Sequence, residues 1–148
     1  MTAVLSGREV ASKLDKKFPG SIVESTENST LVKSESLLPV ASFLKTEPEF
    51  AFDYLTFITA VDYNDYFEVV YHLTSLEHNR SVVVKTRCYG RENPTLPSVV
   101  GLWRGADFQE REIYDLFGIK FEGHPNLRRI VLWEGFKGYP LRKDYIQW

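Results

Sequence analysis

Three alternating runs with almost nothing between them do most to fix the fold. "DYLTFITAVD" (Asp53–Asp62), "YFEVVYHLTS" (Tyr66–Ser75) and "SVVVKTRCY" (Ser81–Tyr89) are joined only by the polar connectors "YNDY" and "LEHNR". Short runs that alternate with period two are strands, and connectors this short make consecutive strands antiparallel neighbours. In the first run Leu55, Phe57, Thr59 and Val61 share a face. In the second, Phe67, Val69, Tyr71 and Leu73 lie opposite Glu68, Val70 and His72. The third alternates less cleanly.

The upstream segments supply a layer to cover that meander. "SGRE" at Ser6–Glu9 has the form of a capping box, and Val10, Leu14 and Phe18 follow at four-residue spacing until Pro19-Gly20 ends the helix. "SIVES" and "TLVKSE" are short strands around a turn at Glu27-Asn28-Ser29. "SLLPVASFLKT" is a second helix, with Ser36 as its cap and Pro39 in the tolerant first turn. The order α-β-β-α-β-β-β predicts a two-layer α+β domain with a mixed sheet, one face covered by both helices. A further helix and an extended, irregular C-terminal arm follow. The expected division is residues 1–118 as core domain and 119–148 as arm.

The further helix, Ala106–Phe117, is oddly charged. On a helical wheel Ala106, Ile113 and Phe117 fall together with Glu110 inside their arc, while Phe108 sits among Asp107, Arg111, Glu112 and Asp115. Gly118 is placed to end it. The spacing allows Asp107–Arg111 and Arg111–Asp115 pairs along a solvated face. Glu110 does not fit that face, and a carboxylate in an apolar arc requires a partner. A cation, in this chain or across an interface, is the expected one. Glu110 and Glu112 point to different faces, which disfavours paired-carboxylate catalysis.

Several functions are disfavoured on composition. Cys88 is the only cysteine, so the chain has no internal disulfide and cannot hold an iron–sulfur cluster alone. Its apolar surroundings suit a small buried hydrophobe. His72, His78 and His124 show no metal-binding spacing, and "GLWRG" and "GFKG" are not phosphate loops. No apolar run reaches the roughly 18 residues of a membrane span. The N-terminus does not read as a secretory signal, so a soluble cytosolic chain is expected. Residues 1–74 carry six Lys/Arg against eleven Asp/Glu and residues 75–148 twelve against nine, a bias too weak for nucleic acid and better suited to a protein partner.

"EREIYDLFGIKFEGHPNLRRI" (Glu110–Ile130) resembles the signature of the 30-kDa-type subunit, the C-type subunit, of respiratory complex I, NADH–quinone oxidoreductase. It matches at Glu110-Arg111-Glu112, Asp115-Leu116-Phe117, His124 and Arg128-Arg129-Ile130. "GYPLRKDY" (Gly138–Tyr145) is similar to the family's tail, with Tyr139 where His is usual, and "RENPTLPSV" (Arg91–Val99) also matches. The related J-type subunit of cyanobacterial and plastid complexes shares "EGHPNL" and "PLRKDYI", and membrane-bound hydrogenases contain relatives. The resemblance covers about residues 91–146. It implies a cofactor-free, non-catalytic subunit, peripheral on the cytoplasmic face of an energy-converting membrane. That subunit packs on the hydrogenase-like large subunit that forms the quinone site, beside iron–sulfur subunits that carry the clusters. Glu110, Arg111, Glu112, Asp115, His124, Arg128, Arg129, Leu141, Arg142, Lys143 and Asp144 are then the partner-binding candidates. The arm is expected to be ordered by that partner, with most of its basic groups reaching across.

Overall fold

A computed structural model describes residues 2–146; Met1, Gln147 and Trp148, the last two at the end of the expected arm, lie outside the described residues. The elements run β1 (Ala3–Val4), α1 (Gly7–Lys17), β2 (Ile22–Ser25), β3 (Thr30–Val32), α2 (Leu37–Thr46), β4 (Tyr54–Asp62), β5 (Tyr66–Ser75), β6 (Arg80–Tyr89), β7 (Thr95–Pro97), α3 (Ala106–Phe117) and β8 (Lys120–Glu122). The main sheet is ordered β2-β3-β6-β5-β4, with β1 also on β6. Strands β4, β5 and β6 form the antiparallel meander, whereas β1 and β3 pair with β6 in parallel. The α+β architecture and the mixed sheet are therefore those read from the sequence.

The helices cover one face, and Phe67, Val69, Tyr71 and Leu73 of β5 are buried beneath them. On β6 the alternation proves clean: Val82, Val84, Thr86 and Cys88 all point inward. Phe18 and Phe43 join α1 to α2 edge-on at 5.7 Å. Burying this apolar layer, at roughly 25 cal/mol per Å², is the main force holding sheet to helices.

Three local expectations fail. Neither Ser6 nor Ser36 makes a side-chain cap bond, although each stands at the N-cap; a 3-10 turn at Ser34–Ser36 leads into α2 instead. In β4 the register shifts between Leu55 and Phe57, a bulge at Thr56. The extra residue reverses the pleat, so Ile58 and Asp62 join Leu55 inside, while Phe57, Thr59 and Val61 turn outward. Phe57 then stacks on His72 at 3.9 Å. The third concerns the arm, residues 119–148, expected to be irregular. Its first residues form β8, which pairs in parallel with β7, with α3 as the crossover.

The boundary expected at Gly118 cuts through the core. Ile119 and Phe121 are buried in it, and Leu127 packs against it. Gly118 ends α3 at φ +79°, and a Cβ there would lie 2.7 Å from both Arg142 and Tyr139. The chain after α3 therefore passes directly over the end of the helix.

Candidate functional site

Glu110 is wholly buried, yet its partners are neutral. The Ser98 hydroxyl donates to one carboxylate oxygen at 2.6 Å, and the Val99 N–H donates to the other at 2.9 Å. Ser98 in turn accepts the Val100 N–H at 3.2 Å. The carboxylate thus fixes the turn after β7 onto α3, and the expected cation is not needed. Burial pushes its pKa up, against the lowering effect of the Ser98 and Val99 hydrogen bonds. A raised folded-state pKa gives stability that is full below the unfolded value and lost as pH rises through the folded one. Glu110→Gln is therefore expected to gain stability relative to the parent as pH rises above about 4.5. Parallel urea titrations at several pH values check this; parallel pH profiles for the two proteins would count against it.

The helix pairs allowed by spacing do not form. Arg111 donates to the backbone carbonyls of Arg128 at 3.2 Å and Arg129 at 3.3 Å. His124 has no side-chain exposure and places Nε2 3.1 Å from the Asp107 carboxylate. Its Nδ1 accepts the Asn126 N–H at 3.0 Å. Asp115, also fully buried, accepts the consecutive N–H groups of Ile130, Val131 and Leu132 at 3.1, 2.7 and 2.8 Å. Arg129 donates to its other oxygen at 2.7 Å. Burial opposes ionisation of Asp115, but the three N–H groups and the guanidinium outweigh it and hold its pKa below the usual carboxylate value. Residues 123–146, hereafter the strap, are therefore laid along α3 by α3's own charges.

A second anchor holds the far end. Arg142 donates to the carbonyls of Phe117 and Arg91. The Leu141 N–H donates to the Leu116 carbonyl at 3.0 Å. Arg91 grips the buried Asp62 with two bonds of 2.8 and 2.7 Å and reaches Asp144 at 3.0 Å. The Lys143 N–H donates to Asp62 at 2.8 Å. Tyr139, where the family tail carries His, lies 5.0 Å from both the Arg129 and the Arg142 guanidinium carbons. Its ring face suits two cations.

The sequence candidates thus divide in two. Glu110, Arg111, Asp115, His124, Arg129 and Arg142 spend their polar groups inside this chain, with Asp144 bound to Arg91. Glu112 and the side chains of Arg128, Leu141 and Lys143 face outward. Ser98, Asp62 and Arg91 are structural members that residue type and spacing do not reveal. Asp62 is hidden by the β4 bulge, whereas Arg91 stands inside a matched motif. Several of the strap's apolar side chains also face out, although Leu127, Leu132 and Phe136 are half-buried: Trp133 is 69% exposed, Val131 59%, Leu141 53% and Ile146 68%. Among the described residues no group of three or more His, Cys, Asp or Glu is placed to hold a metal, and no helix is long and apolar enough to cross a membrane.

The chain has relatives among known respiratory proteins. Residues 30–147 match the family described as the respiratory-chain NADH dehydrogenase 30 kDa subunit. A C-type NADH-quinone oxidoreductase subunit of Rhizobium meliloti (strain 1021) is 47% identical over 117 residues, which is 77% of this chain and 63% of that protein, so the chain spans under two thirds of its length. A C/D-type NADH-quinone oxidoreductase subunit of Phocaeicola vulgatus is 49% identical over 94 residues, 63% of this chain but 18% of that protein. Among solved structures, a chain of the membrane-bound sulfane sulfur reductase, an archaeal respiratory membrane complex, superposes with TM-score 0.74 at 27% identity, covering 95% of this chain and 85% of that one.

Proposed function

The chain belongs to the respiratory-chain NADH dehydrogenase 30 kDa subunit family, and from that premise we propose that it is a cofactor-free, non-catalytic subunit of a complex I-type quinone oxidoreductase. It sits on the peripheral arm, outside the bilayer, and docks through its strap on the large quinone-site subunit. The clusters and the quinone belong to its neighbours.

The observation that carries this reading is the two-sidedness of the strap. Its inner side is fixed to α3 and β4 by Asp115, Arg142 and Asp62, while its outer side presents Val131, Trp133 and Leu141 to solvent. An exposed tryptophan on a braced segment is costly for an isolated subunit and suits an interface anchor. The name of the C/D-type relative, of which this chain matches 18%, joins subunits C and D, which supports a partner within the same oxidoreductase. Acid–base catalysis fits the site poorly: Glu110 is inaccessible, and both His124 ring nitrogens are engaged. A sulfane sulfur reductase complex contains a chain of the same fold, but the higher identity to quinone oxidoreductase subunits favours the quinone reading over a sulfur-reductase one.

In the test, the full chain carries V131S, W133A and L141S together and is expressed with the rest of its complex. The expected result is a folded subunit with a melting temperature within a few degrees of the parent, since the altered side chains make few internal contacts. It should nevertheless be lost from the purified complex. Incorporation at the parental level would exclude the strap as the docking element.

A further inference from the structure

The strap also indicates the chemistry of the surface it meets. Two of its arginines are committed inside the chain, Arg129 to Asp115 and the Gly138 carbonyl, Arg142 to the Phe117 and Arg91 carbonyls. Asp144 is held by Arg91. That leaves Arg128, Lys137 and Lys143 exposed, with no side-chain hydrogen bond or ion pair among the described residues. Glu134 is the one strap acid in the same condition among the described residues. The exposed side chains of the strap are therefore apolar at Val131, Trp133 and Leu141 and, Glu134 and the Arg91-bound Asp144 apart, cationic at Arg128, Lys137 and Lys143. Lys137, Arg142 and Asp144 also line a shallow cleft of about 320 Å³ with Tyr139, Tyr145 and Ile146.

The geometry points to a partner surface that is an apolar hollow ringed by carboxylates, with Trp133 entering the hollow and Arg128, Lys137 and Lys143 meeting the acids. This rests on the docking reading and specifies its partner. Seating Trp133 brings the strap's exposed cations toward the partner and strips them of water, and a cation stripped of water without an acceptor opposes binding. Opposing carboxylates remove that cost and speed encounter. An anionic lipid surface fits less well. Glu134 and Asp144 are exposed on the same segment as the cations and would set carboxylates against the lipid phosphates.

The test uses the full chain and the large quinone-site subunit, each purified, with affinity measured at low and at raised salt. Charge reversal, R128E/K137E/K143E, is expected to weaken binding by about 100-fold or more at low salt with an unchanged melting temperature. The parental affinity should fall by about tenfold as salt rises several-fold, and the neutral R128Q/K137Q/K143Q variant should lose most of that dependence. If the parent binds but both charge variants and salt leave affinity within about twofold, the acidic ring is wrong while the docking reading survives. If the folded parent does not bind the large subunit at all, both fall. If the charge variants abolish binding to phosphatidylglycerol vesicles but leave subunit binding unchanged, the cations serve a membrane and the inference is overturned.

Discussion

Asp115→Ala is expected to lower stability by about 3–5 kcal/mol and to free the strap from α3. One buried carboxylate accepts three successive N–H groups and an arginine. No other acceptor among the described residues of the segment replaces it. Removing it leaves Arg129 unpaired and forces Ile130, Val131 and Leu132 to lift toward water. The loss should appear as a lower denaturation midpoint and as new protease sites within residues 123–146. Acid should mimic the substitution. A depressed folded-state pKa contributes stability that is complete above the unfolded value, 3.8, and is lost as pH falls through the folded one. The parent should therefore weaken below about pH 4, and the alanine variant should lack that part of the acid limb. An Asp115→Ala protein with parental stability and an uncut strap would refute the bracing role.

Arg91→Met should cost about 2–4 kcal/mol and flatten one pH dependence. The Arg91 guanidinium, whose hydrogen bonds outweigh burial, holds the Asp62 carboxyl far below the usual carboxylate range. In the parent, then, acid weakens the fold through this pair. With Arg91 gone, burial at Asp62 is opposed only by the N–H groups of Lys143 and Asn64, so its pKa rises from the depressed value and less stability is lost to acid. Below about pH 4 the variant should therefore recover stability relative to the parent on acidification. A constant difference across that range would mean that Arg91 does not set the Asp62 pKa.

The meander and both covering helices are legible in the sequence because each strand alternates and each helix carries a four-residue stripe. What escapes the pattern is set at long range or by single residues. The Thr56 bulge adds one residue and inverts every later side chain of β4, which turns Asp62 inward to meet Arg91. Strands β7 and β8 have three residues each and lie on either side of α3, too short for periodicity to register. On α3 the spacing Asp107-Arg111-Asp115 offers local pairs, but the carboxylate of Asp115 finds N–H groups up to 17 residues downstream. Several bonds outcompete one screened ion pair on a helix surface. The position of Glu110 in an apolar arc is plain from the sequence. Its partners, a hydroxyl and an amide, carry no charge that composition could reveal.

The strap's hydrogen bonds to α3 and β4 predict that this chain braces it without a partner, whereas the sequence leads to the expectation that an irregular basic arm would wait for its neighbour. Truncation after Phe121 would consequently strip Asp115, Asp62 and Phe117 of their cover, and loss of assembly in such a fragment could reflect misfolding alone. Hydrogen exchange on the intact chain separates bracing from docking. In the isolated protein the amides of Ile130, Val131 and Leu132 should exchange about 100-fold more slowly than in the Asp115→Ala variant. On binding the large quinone-site subunit, further slowing should fall within residues 123–146 and leave the outer face of the sheet unchanged. Fast exchange of those three amides in the isolated chain, or slowing on the sheet with none on the strap, would contradict a self-braced docking strap.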